Sequence, residues 1–302
     1  MHDVTRAGAR GKIAVLIHAR DTFEPSNYLL PLLAGVWKSS GIEIAVLRGP
    51  DRFEAADALI LHIDLTVIPR AYRLLSRRYP LVINGRVRDI SKRRVSANLV
   101  GMRDPYDGPV IVKTNRNFGG IEEIGKLPRG LWGRFLSGPG KRLHWSLTGR
   151  LSPNDYSIYR SRRDVPRAAW LNPALVIERF IPEREGNQYA IRQWIFMGDR
   201  GITQRLISPE PIIKSTNVAR REYGASVPEG LRALRVKLGF DYGKFDFVLC
   251  NGKPMLLDAN WTPTFDRRNP SPRLGDIVDE LSQGLHALLA APRRDRGVTG
   301  TA

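Results

Sequence analysis

The 302-residue chain carries 48 Lys plus Arg against 30 Asp plus Glu, a formal net charge of +18, and a single cysteine, Cys250. Its length buries a sizeable core and suggests about two domains, while one cysteine excludes an internal disulfide and fits a reducing, cytoplasmic compartment. No apolar run approaches the ~20 residues of a membrane span, so no membrane partner is expected. The cationic balance favours anionic partners such as nucleotides, phosphorylated or carboxylated substrates, nucleic acid or anionic lipid. No RNA-binding aromatic motif, C-x-x-C finger or basic-region heptad supports nucleic acid.

In chain order, residues 12–17 form a short apolar run of strand character. Residues 28–38 read as a helix opened by Pro25, Ser26 and Asn27, with Ser26 or Asn27 as N-cap. Runs 42–47 and 58–63 are strand-like, 67–78 is helical by spacing, and 80–83 is a fourth strand. This alternation predicts a parallel, helix-covered α/β sheet over residues 12–84. The dinucleotide fingerprint G-x-G-x-x-G is absent after the first strand. His18 and His62 end predicted strands, where open α/β sheets hold ligands; a satisfied loop position is the expectation for both.

Further on, residues 110–113 are a strand that ends in a Gly119-Gly120 loop. The stretch 126–155, rich in Gly, Pro, Arg and Trp, takes no clear assignment. Runs 157–160 and 176–180 are strands, and 189–197 with 201–207 form a hairpin across Gly198. Residues 228–238 and 274–289 are helices, and the tail 291–302 is expected to be disordered. The phosphate-loop signature fails at Gly140-Lys141, and HExxH and GxSxG are absent.

Residues 245–249 and 254–257 make a second hairpin, because Asn251-Gly252 is a strong tight-turn signal. Asp246 lies inside the first apolar strand, and Asp258 and Asn260 end the second. Charged residues are rarely buried without a partner. Alternation puts Asp258 and Asn260 on one face, and the hairpin brings Asp246 within reach of it. Two carboxylates and an amide oxygen are hard ligands, suited to Mg²⁺ that keeps phosphate oxygens as its remaining ligands.

This pattern resembles the ATP-grasp superfamily, in particular its glutathione-synthetase-like carboxylate–amine ligases. There, an acidic residue on one strand is followed after a tight turn by Glu-x-Asn; here Asp258 stands where Glu is commoner. The resemblance implies ATP and Mg²⁺, or Mn²⁺ in its place, as cofactors, with Asp246, Asp258 and Asn260 as metal ligands. Upstream, GPVIVK ending at Lys113 and then Phe118-Gly119-Gly120 resemble the phosphate-contacting lysine and the glycine-rich flap. Lys92 would be the family's first lysine, on the adenine side. Glu178, Arg179 and Ile181 resemble the adenine hinge, with Glu185, or Glu183 in competition, on the ribose. Arg192, Lys244 and Lys214 are the candidates for the reacting end.

The fold so implied is α/β (α+β): a small parallel Rossmann-like domain, 1–84, followed by a two-lobed ATP-grasp domain, 85–290. The activity implied is ligation of a small-molecule carboxylate to an amine or thiol through an acyl phosphate. Two alternatives are an ATP-grasp kinase acting on a hydroxyl, and a catalytically reduced nucleotide-binding module associated with nucleic acid. Dimers are common among such ligases, which leaves a homodimer open.

Overall fold

The computed structural model describes residues 11–120, 123, 126, 144–153 and 155–290. Most of the unassigned 126–155 stretch and the tail 291–302 lie outside the described residues. Among those residues no helix is long and apolar enough to cross a membrane.

Four apolar runs set the first layer. Strands β1 (Lys12–Ile17), β2 (Glu43–Arg48), β3 (Ala58–His62) and β4 (Val82–Ile83) form a parallel sheet in the order β2-β1-β3-β4. The central strands β1 and β3 are buried over almost their whole length, as helix-covered parallel strands must be. The connecting helices α1 (Leu30–Ser39) and α2 (Arg70–Ser76) are shorter than the spacing predicts. Neither Ser26 nor Asn27 caps α1. The Ser26 hydroxyl instead donates to Phe23 O at 2.6 Å, and Asn27 O accepts from Phe265 N.

A second, smaller sheet is antiparallel, with β5 (Val110–Thr114) between β6 (Ser157–Tyr159) and β7 (Leu175–Arg179). It carries a core of its own, built on Val100, Val110, Val112, Leu175 and Ile177.

The largest sheet holds the remaining six strands: β8 (Glu183–Glu185), β9 (Gln188–Met197), β10 (Arg200–Ser208), β11 (Arg220–Tyr223), β12 (Tyr242–Cys250) and β13 (Lys253–Asn260). Their order is β11-β10-β9-β12-β13, with β8 paired to β9. One face presents Trp194, Phe196, Phe245 and Phe247 to the helix Glu229–Leu238 and to Leu16, Leu59 and Leu61 of the parallel domain. Toward one end of the opposite face, Ile195, Met197 and Tyr242 meet α1 and the helix Leu274–Ala290. The parallel sheet and the large sheet therefore share continuous apolar cores, while the small sheet is built separately.

Polar contacts fasten the same junction. The Trp37 indole donates to Ser282 O at 2.9 Å. Asn84, fully buried at φ 63°, donates from its backbone to Asp241 Oδ2 and from its amide to Tyr242 O. Its side-chain oxygen accepts from Asp241 N and Tyr242 N. Gly284 of the last helix runs so close to Met197 O that a Cβ there would collide with it.

Candidate active site

The β12–β13 hairpin turns through Asn251 and Gly252, both at positive φ, so Cys250 pairs with Lys253. An unbroken register from that turn would pair Asp246 with Leu257 and put Asp258 on the other face. The pairing instead shifts between Asp246 and Phe247: Phe247 opposes Leu256, and Asp246 opposes Asp258. Leu257 is the extra residue of a bulge. This single insertion brings Asp246, Asp258 and Asn260 onto one face, with Lys244 opposite Asn260. Opposed side chains at that spacing are ~5 Å apart at Cβ.

Burial raises the pKa of the Asp246 carboxyl, while Lys244, at 3.4 Å from Oδ2, favours its ionised form. Asp246 Oδ1 accepts from the Gln193 amide at 2.9 Å. Asn260 Oδ1 accepts from Thr262 N at 2.8 Å, which fixes the oxygen end of the amide. Lys92 is buried with its ammonium 3.1 Å from Asp258 Oδ1 and 3.2 Å from Arg116 O. Burial alone would lower the pKa of Lys92, but Asp258, Tyr156 and Glu178 together outweigh it and the net shift is upward.

Across the crevice, Lys113 on β5 reaches Glu178 on β7, its Nζ 2.7 Å from Oε2. Glu178 is only 1% exposed, and neither of its oxygens accepts a well-directed hydrogen bond. Arg179, Phe180, Ile181 and Pro182, leading from β7 to β8, line the crevice beside it. The flap begins at Phe118, Gly119 and Gly120, three consecutive residues at positive φ. A Cβ at Gly119 would meet Pro153 at 2.7 Å, so only glycine fits that bend. Asn117 N donates to Thr66 Oγ1 at 2.8 Å, tying the flap to the parallel domain.

Lys92, Lys113, Phe118, Asp246, Asp258 and Asn260 line one cavity of about 1410 Å³. No protein-family model matches the sequence, and no curated protein matches it significantly. Among solved structures, the chain is similar to a RimK domain ATP-grasp protein from Sphaerobacter thermophilus, at 14% identity over 91% of this chain and 99% of that one, TM-score 0.48. It is also similar to D-alanine–D-alanine ligase from Bacillus anthracis, at 12% identity over 92% and 95%, TM-score 0.45. A third is the ATP-grasp ligase PsnB complexed with minimal precursor, Mg and ADP, at 13% identity over 91% and 97%, TM-score 0.45. In this chain itself, two antiparallel sheets of unequal size enclose the crevice, a lysine–glutamate hinge on one and a carboxylate hairpin on the other. The chain has a mixed α/β fold, a parallel sheet together with two antiparallel ones.

Within that frame several expected residues change place. Arg192 does not face the crevice; it pairs with Glu183 at 2.7 Å, and Arg205 joins the same carboxylate at 3.0 Å. Glu185 belongs to this cluster too, held by Arg205 and Arg220. Neither Arg192 nor Glu185 lines the cavity; Arg192 lies between Trp194 and Ala190 by alternation and shares the face of Trp194 and Phe196. The two lysines also exchange neighbourhoods. Lys92, expected on the adenine side, sits at Asp258, while Lys113 sits at the hinge. Lys214 and Lys244 do line the cavity. Burial lowers the pKa of Lys214, with Asp246 and Asp258 acting against it and Lys113 and Lys244 with it.

The sequence reading missed a polar cluster on the crevice wall of the parallel domain. Lys126 lies 2.8 Å from Asp21 and 3.4 Å from Asp64, and the Tyr28 hydroxyl lies 2.8 Å from Asp64 Oδ2. The Thr262 hydroxyl stands between Asp64 Oδ1 at 2.9 Å and Asn260 Oδ1 at 3.0 Å, joining this cluster to the hairpin. The signal was present: Asp21 and Asp64 follow β1 and β3, at the ends where parallel sheets hold ligands. His62 is fully buried against Tyr28, and neither ring nitrogen has a hydrogen-bond partner, so it is not the satisfied loop residue expected. His18 is satisfied, accepting from Arg20 N at 3.2 Å.

Proposed function

We propose that the chain is an ATP- and Mg²⁺-dependent ligase that activates a carboxylate as an acyl phosphate and passes the acyl group to an amine or thiol. The observation that carries this reading is the set Asp246, Asp258 and Asn260 on one face, in the same crevice as the Lys113–Glu178 hinge. At about 1410 Å³ the cavity exceeds the ~300–1,000 Å³ of a single small-molecule site. It has room for a nucleotide and a second substrate.

The adenine edge would pair with backbone groups of Arg179 and Ile181 beside Glu178, and Lys113 would reach the phosphates from the same strand pair. The flap from Phe118 to Gly120 would cover the triphosphate and exclude water, its glycines letting backbone N–H groups approach the anion. Among the described residues no cluster of three His, Cys, Asp or Glu side chains forms a metal site. Two carboxylates and an amide fit Mg²⁺ nonetheless, since that ion keeps phosphate and water in much of its octahedral shell. Mn²⁺ fits the same donors. Bound there, the ion would neutralise charge on the β- and γ-phosphate oxygens.

With the cation at Asp258, Lys92 would turn its ammonium to the phosphates. The substrate carboxylate oxygen bonds to the γ-phosphorus as the bond to the β-phosphate oxygen breaks, giving ADP and the acyl phosphate. Lys214 and Lys244 would hold the charge that develops there, fixed cations being worth most in a water-excluded site. The amine lone pair then attacks the acyl carbon, inorganic phosphate leaves, and the amine gives up a proton. Residues 12–84 would supply the second-substrate wall through Asp21, Tyr28 and Asp64.

The test is ADP release with Mg²⁺ across panels of carboxylates and amines. Release that requires both substrates, with a new amide or thioester product, is the expected result. Release driven by a hydroxyl substrate alone, with a phosphate ester as product, would make the enzyme a kinase and overturn the ligase assignment.

A further inference from the structure

The large sheet carries a second polar arrangement that the roles above leave unused. Gln204 on β10 opposes Gln193 on β9, Gln193 opposes Asp246 on β12, and Asp246 opposes Asp258 on β13. Four side chains thus form one row across four strands. The Gln204 amide donates to Gln193 Oε1 at 2.6 Å, and the Gln193 amide donates to Asp246 Oδ1 at 2.9 Å. Gln204 is 6% exposed, and its own oxygen has no hydrogen-bond partner.

The direction of this chain is fixed from one end. An ionised carboxylate only accepts hydrogen bonds, so Gln193 must turn its NH₂ to Asp246 and its oxygen to Gln204. Gln204 must then turn its NH₂ to Gln193, which strands its own oxygen in the interior at some cost. A buried group left unsatisfied at the far end signals that orientation is being held at the near end. Lys244 restrains only the other oxygen of Asp246, and at 3.4 Å.

We propose that Gln193 and Gln204 are positioning residues: an amide relay that locks Asp246 in the rotamer presenting a free lone pair to the cation. This rests on the metal role of Asp246 under the proposed function. Groups that orient a metal ligand commonly contribute ten-fold or more in metal affinity, and Gln193 is placed to act in that way.

Mn²⁺ binding in the presence of ADP, followed by electron paramagnetic resonance, tests it without recourse to turnover. Gln193→Leu is expected to weaken Mn²⁺ about ten-fold, with ADP affinity in the absence of metal unchanged and the thermal midpoint retained. Gln204→Met, one strand further from Asp246 than Gln193, should weaken it by a smaller factor. In the double variant the Gln204 effect should vanish, because the relay is already cut. Equal Mn²⁺ affinity in Gln193→Leu and wild type, or a Gln204 effect that persists in the double variant, overturns the relay alone. Absence of Mn²⁺ binding by wild type removes the metal site, and the relay with it.

Discussion

Lys92 Nζ and Asp258 Oδ1 are 3.1 Å apart, an ion pair between a buried ammonium and a half-buried carboxylate that joins the start of the small lobe to the last strand of the large sheet. Under the proposed function, a cation at Asp258 would compete with this ammonium for Oδ1 and nucleotide phosphates would offer it a new partner, which would make the pair a latch.

Lys92→Met should separate two effects. Loss of a charge-assisted contact to phosphate weakens ATP·Mg by roughly ten- to a hundred-fold, at about 1.5–3 kcal/mol. Loss of the competing ammonium should leave Mn²⁺ affinity in the absence of nucleotide unchanged or higher. Calorimetric titrations with ATP·Mg and with Mn²⁺ alone read the two terms. A parallel fall in both affinities would contradict the latch.

The Lys113–Glu178 pair is deeper. Lys113→Met leaves the Glu178 carboxylate, 1% exposed, without its counter-charge. Removing one partner of a buried pair costs about 3–5 kcal/mol, while removing both is far milder. Urea denaturation of Lys113→Met, Glu178→Gln and the double variant should therefore give a strongly non-additive cycle. Additive losses would mean that the two side chains do not stabilise one another.

Asn84 tests the junction of the two cores. Asn84→Ala removes three side-chain hydrogen bonds to Asp241 and Tyr242 and places alanine at φ 63°. The expected loss is about 4 kcal/mol. Asn84→Gly should recover about 1 kcal/mol of it, since glycine meets no steric cost in the left-handed region. Denaturation midpoints at fixed m-value check both numbers.

His62 makes stability depend on pH. Burial lowers its pKa to about 4, and Lys126 acts in the same direction, while Asp64 and Asp21 oppose the shift. Between the unfolded value of about 6.5 and about 4, the unfolded chain binds a proton that the folded chain does not. Stability therefore falls as pH drops through this window, by up to about 3 kcal/mol, and is fully present above it. His62→Leu should flatten the stability profile between those limits. A variant whose profile is as steep as wild type would show that other groups carry the whole slope.

The sequence made the β12–β13 hairpin legible because Asn251-Gly252 fixes the turn and polar residues stand out in apolar strands. It did not show the bulge at Leu257. Counting back from the turn without it would have split Asp246 from Asp258, so their shared face could not be read from register. Arg192 failed on parity. Alternation says that Arg192 and Gln193 face opposite ways, but Ile191 and Ile195 are as apolar as Trp194 and Phe196, so hydropathy cannot say which face meets the crevice. Lys92 and Lys113 were visible as lysines near the right strands. Their partners, Asp258 and Glu178, are 166 and 65 positions away, respectively, and only the fold brings them together. The parallel domain was the easiest to read, since its buried strands are continuous apolar runs. Its crevice wall was legible only in part: Asp21 and Asp64 follow strand ends, but their pairing with Lys126 has no local signature.

The central claim is that Asp258 helps hold a cation against ATP. The direct measurement is calorimetric titration of wild type and Asp258→Ala with ATP, with and without Mg²⁺. The account predicts that wild type binds ATP·Mg more tightly than ATP alone, and that Asp258→Ala loses this difference while still binding free ATP. Equal affinity of the two proteins for ATP·Mg would contradict it.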